Sequence, residues 1–122
     1  MVITSQTILA AAVAFVAVFV LGFLLRRSGK PYSGLVLTAH KLISLAVLIL
    51  FILTVNRINT ATPLAPAALA AAVLTGVFFV VAIISGGLVS TDKPTPPIAL
   101  LLHRVTPFVT VACAVVTYFL LA

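Results

Sequence analysis

Two histidines, His40 and His103, are the only imidazoles in the chain, and each is followed by a cation, Lys41 or Arg104. Each also stands ten residues after a Lys-Pro pair: Lys30-Pro31 precedes His40, and Lys93-Pro94 precedes His103. Imidazole is the commonest protein ligand for metals. Two that meet at one place from two helices can hold one metal ion between them, with a flat macrocycle around it. Other chemistries lack donors. Zinc wants three or four protein ligands, and the only acid in the chain is Asp92, which reads as a loop residue or the partner of Lys93. There is no nucleophile–base–acid set and no glycine-rich phosphate loop. The lone Cys113 excludes an intrachain disulfide. It lies ten residues past His103, ~15 Å along a helix, and reads as inert core.

The elements that must carry these residues follow from composition. The chain has 122 residues, 64% of them hydrophobic and 7% charged, where a soluble domain carries about 25% charge. Mean hydropathy is +1.42. Too few polar groups exist to cover a water-facing surface. This excludes a soluble enzyme, a nucleic-acid binder and a disordered chain. Four apolar stretches, at about residues 7–25, 35–58, 67–89 and 99–122, each match a hydrocarbon layer of about 30 Å when helical. The first lacks a basic leading segment and is long for a signal peptide, so it reads as a retained helix. The breaks carry turn chemistry: Ser28-Gly29-Lys30-Pro31, then residues 59–66 with two prolines, then 91–97 with three. Pro107 kinks the fourth helix or sits in its early part. Short connections make neighbours antiparallel, so the expected fold is an all-α transmembrane four-helix up-down bundle, one integral membrane domain.

Arg26, Arg27, Lys30 and Lys41 flank the first loop, and Lys93 and Arg104 the third, with Arg57 alone at the other end. The positive-inside rule then puts loops one and three in the cytoplasm and both termini outside, in a membrane of the bacterial inner (plasma) type. The shared Lys-Pro-x8-His-basic pattern reads as a tandem repeat of a helical hairpin at an offset of 63, which also pairs Phe15 with Phe78 and Leu35 with Ile98. An offset of two helices preserves direction and implies an axis along the membrane normal. His40 and His103 then sit at one depth, ~7–9 Å inside the boundary, on diagonal helices roughly 12–14 Å apart. Gly22, Gly86 and Gly87 lie at that depth and let a ring or backbone approach closely. Ser44, Val47, Phe51 and Thr54 share the face of His40, and Thr106, Thr110, Cys113 and Thr117 that of His103. Small, weakly polar residues belong inside a membrane bundle, so both imidazoles are expected to point inward.

A four-helix membrane bundle with inward histidines on two helices, flanked by glycine and cations, resembles the membrane b-type cytochromes. The resemblance covers the architecture of the whole chain, and its motif is His40 and His103. It implies one haem b per chain, held axially by these two, with electron transfer near the cytoplasmic face. The cofactor set it implies is His40, His103, Lys41, Arg104, Gly22, Gly86, Gly87 and Ser44, the cations pairing with haem propionates. Four histidines usually serve the members that carry electrons across a membrane, and this chain has two. The expected partners are the lipid bilayer and a redox partner, with a quinone and a homodimer left open and no nucleic acid.

Plainer readings stand beside this one. Both histidines can be helix–helix hydrogen-bond donors in a non-catalytic subunit of a larger membrane complex. Lys41 and Arg104 can be snorkelling anchors, and the glycines can serve helix packing alone. A small multidrug-type transporter fits the size and helix count, but no acid lies in any apolar stretch.

Overall fold

The computed structural model describes residues 3–122. It comprises four helices, α1 (Ser5–Ser28), α2 (Gly34–Ala61), α3 (Pro66–Val89) and α4 (Pro97–Leu121), with no strand among the described residues. Each is long and apolar enough to cross a membrane. Their starts follow from local chemistry. The Thr4 and Ser33 hydroxyls accept from the amides of Thr7 and Val36, while α3 and α4 open on a proline, which loses no intrahelical bond there. At the end of α1, Gly29 takes φ 69°, the left-handed region where glycine replaces a strained side chain. The helices α1 and α2 run three residues past the apolar stretches, through Arg26-Arg27-Ser28 and Asn59-Thr60-Ala61. Hydropathy marks the hydrocarbon layer, and the helix continues into the interface beyond it. Pro107 stands within α4 and the helix runs on through it.

Burial is inverted relative to a soluble protein. Large side chains such as Leu9, Phe23, Leu42, Leu53, Phe108 and Phe119 are exposed, while Thr75, Ser85, Thr106, Thr110 and Thr117 are buried. Apolar exteriors and small polar interiors are what lipid selects. Together with the four spans, this is the architecture of an integral membrane protein.

The bundle consists of two hairpins, α1–α2 and α3–α4, which meet through a lighter α2–α3 contact. The α3–α4 seam is lined by small residues, Ala68, Ala72 and Thr75 against Thr110, Ala114 and Thr117, so the backbones approach closely. Thr75 and Thr117 touch across it at 3.1 Å between hydroxyls. Each hydroxyl also lies 2.8 Å from the carbonyl four residues back, Ala71 or Cys113. Two protons serve three contacts, so one threonine donates to its partner and the other to its own helix. Thr117→Val keeps the shape and removes the hydroxyl. Its expected cost is about 0.6 kcal/mol and at most about 1.7, read from reversible unfolding in detergent or bicelles. The hairpins close on each other through Val47, Leu48 and Phe79, with Phe15 packed against them. Phe15 stacks on Phe79 at 5.9 Å, and Phe19 on Phe108 at 5.3 Å. The latter pair joins α1 to α4.

Candidate functional site

Each histidine is the seventh residue of its helix, six after Gly34 in α2 and six after Pro97 in α4. At 1.5 Å per residue both stand ~9 Å from the helix start, at the end of the bundle that carries the α1–α2 and α3–α4 loops. Both are part-buried, with ring centroids 6.3 Å apart and planes at 85°. The inward orientation expected from the helix faces is what the structure has.

Each ring is held by its own hairpin in the same way. His40 Nδ1 lies 3.0 Å from the Val18 carbonyl of α1, and His103 Nδ1 lies 2.9 Å from the Ala82 carbonyl of α3. A carbonyl only accepts, so Nδ1 carries the proton in both neutral rings and Nε2 carries the lone pair. A hydrogen bond from the other ring nitrogen is how proteins orient a metal-binding histidine. Ser85 adds an asymmetry. Its hydroxyl donates to the same Ala82 carbonyl at 3.1 Å and lies 3.4 Å from His103 Nδ1. Nothing matches it at Leu21, the corresponding residue of α1.

The glycines explain how the rings come so close to the neighbouring backbone. A Cβ on Gly22 would stand 3.1 Å from His40 Cε1, and one on Gly86 would stand 2.7 Å from His103 Cε1. Space expected for a flat cofactor at these two positions is therefore taken by the imidazole edges themselves. Gly87 is exposed with open space at its Cβ position, and lies outside the cluster.

These contacts also revise the repeat. His40 corresponds to His103 at an offset of 63, but Val18, Gly22 and Phe15 correspond to Ala82, Gly86 and Phe79 at 64. The pairing of Phe15 with Phe78 is thus one residue out. The segment between the glycine and the Lys-Pro pair is one residue shorter in the second hairpin, and a constant offset cannot absorb that.

The remaining expected residues lie around the pair without touching the rings. Ser44 donates its hydroxyl to the His40 carbonyl at 2.6 Å, which spends it on the backbone. Pro107, its counterpart at offset 63, has no N–H to give the His103 carbonyl. Lys41 and Arg104 are exposed. One residue beyond an inward histidine is ~100° around the helix, so neither shares its face. The threonine face of α4 is buried at Thr106, Thr110, Ala114 and Thr117, and Cys113 is half-buried beside it.

Among the described residues no group of three His, Cys, Asp or Glu gathers. The protein thus offers two donors to an ion here. Both are neutral imidazole nitrogens, a donor type that suits iron. The acceptors at Val18 and Ala82 carry no residue-type signal, because any residue supplies a carbonyl. Ser85 had a weak one, a hydroxyl beside the Gly86-Gly87 pair. Comparison with protein-family models, with curated proteins and with solved structures found no match to this chain.

Proposed function

We propose that this integral membrane protein binds one haem b through Nε2 of His40 and of His103 and serves as an electron carrier. The observation that supports this best is the pair itself. Two imidazoles with Nδ1 bonded to carbonyls, no hydrogen bond at Nε2 and centres 6.3 Å apart would offer two nitrogen donors to the iron of a haem. When bound, haem b takes up and releases one electron at its iron. The chain's own residues do the rest. Val18 and Ala82 fix each ring's tautomer and direction. Gly22 and Gly86 let each ring lie against the facing helix. The Phe15–Phe79 pair packs into the interior on the side away from the loops, which leaves the loop end for access by a redox partner. Lys41 and Arg104 bring positive charge to that end.

Absorbance of the purified protein tests this reading. The expected result is a Soret band with a six-coordinate, low-spin spectrum in both oxidation states. Colourless protein after expression with ample haem overturns it, and leaves the histidines as the hydrogen bonds that join α1 to α2 and α3 to α4.

The reading includes an orientation, with the α1–α2 and α3–α4 loops in the cytoplasm of a bacterial-type cell. Six of the seven cations lie at that end. With Cys113→Ala as background, an impermeant maleimide is expected to label Asn59→Cys in intact cells, and Ser28→Cys only after lysis. The reverse pattern refutes the orientation.

A further inference from the structure

The separation of His40 and His103 is a distance between two hairpins. Each histidine is bonded only within its own hairpin, and so is the Thr75–Thr117 contact. Among the described residues, every hydrogen bond that crosses from one hairpin to the other comes from one atom, Lys30 Nζ. It lies 2.8 Å from the Thr91 carbonyl, 3.1 Å from the Lys93 carbonyl and 3.1 Å from Thr95 Oγ1. An ammonium has three protons and no acceptor, and these three oxygens match them one to one. The Tyr32 ring stands 6.0 Å from the same atom.

We infer that Lys30 is a latch between the hairpins and a positioning residue for the histidine pair. Its place in the chain makes it suited to this. It lies between the last residue of α1 and the first of α2, and its acceptors lie between the end of α3 and the start of α4. One side chain therefore ties the ends of all four helices together at the end where both histidines stand. Below that level, among the described residues, the hairpins meet through apolar contacts and the His40–His103 ring pair, with no hydrogen bond to fix their register. The two repeat-related lysines differ here. Lys30 supplies its ammonium, whereas Lys93 supplies only its backbone carbonyl. Both count equally as charges that set orientation, so a role in topology alone predicts the same behaviour from both.

The test uses the full chain in bicelles with Cys113→Ala as background. Spin labels at Arg27→Cys and Asp92→Cys report the distance across the loop end. Labels at Asn59→Cys and Leu121→Cys report the opposite end. Lys30→Met is expected to broaden and lengthen the loop-end distribution and leave the other unchanged. Lys93→Met, which keeps its carbonyl, is expected to match the parent. Lys30→Arg is expected to fall between, since guanidinium donors lie in a fixed plane and cannot reproduce three diverging bonds. Unchanged loop-end distances in Lys30→Met, or equal broadening in Lys93→Met, overturn the latch. This readout needs no cofactor, so it fails or succeeds apart from the haem reading. The link to that reading has its own measure: if haem is bound, Lys30→Met should lower its retention severalfold at equal protein, and Lys93→Met should not.

Discussion

Purified His40→Ala and His103→Ala are each expected to lose most of their haem, or to hold it in a high-spin form that now binds carbon monoxide. Six-coordinate iron has no free position, and deleting one imidazole opens one. The loss should be large because nothing nearby can replace the donor: the two histidines are the only imidazoles, and Ser44 and Ser85 direct their hydroxyls to backbone carbonyls. The double variant should be colourless yet still insert, since insertion depends on the four apolar spans. A ligand exchange adds a positive signature. His40→Met should keep a six-coordinate spectrum with a raised potential, because a thioether favours ferrous iron relative to imidazole. If both alanine variants retain the parent's low-spin spectrum, His40 and His103 are not the ligands and the functional reading falls with them.

The glycines give the second large effect, and it is graded. Alanine at Gly86 puts a methyl 2.7 Å from His103 Cε1 and 3.0 Å from Nδ1. The ring must then leave the Ala82 carbonyl or α3 must move from α4. Overpacking of this kind costs about 1–3 kcal/mol. Gly22→Ala brings its methyl to 3.1 Å from His40 Cε1, a contact relieved by a few tenths of an ångström. Its cost should be smaller and partly offset by the helix-propensity gain of about 0.5–1 kcal/mol. Gly87→Ala meets nothing within 4 Å and should be neutral or stabilising. The expected order of stability in bicelles is therefore Gly87→Ala, then Gly22→Ala, then Gly86→Ala, with haem content following the same order if haem is bound. Equal effects at Gly86 and Gly87 would show that the imidazole contact carries no weight.

Much of this molecule is legible before any coordinates. The four spans follow from apolar runs as long as the hydrocarbon layer is thick, because inside lipid a backbone without water must satisfy its own hydrogen bonds. The equal depth of the histidines follows from counting residues along two helices that run the same way. Their inward direction follows from the threonines and serine that share their faces, since lipid repels such groups to the interior. These are properties of single helices, and a linear pattern contains them.

What stands between helices is a different matter. That the glycines receive imidazole edges, that Val18 and Ala82 fix the tautomers, and that the second hairpin is one residue shorter before its Lys-Pro pair all depend on how two helices rotate and slide against each other. Apolar faces of Leu, Val and Ala permit many such registers, so composition alone does not choose among them. The difference between Lys30 and Lys93 is the clearest case. In the sequence they are the same residue, each ten positions before its own histidine, His40 or His103. In the folded chain one gives its three protons to the opposite loop and the other receives one of them on its carbonyl. Only packing the hairpins together breaks that symmetry, because the Lys30 ammonium reaches the Thr91 and Lys93 carbonyls and Thr95 Oγ1 across the gap between two separate hairpins.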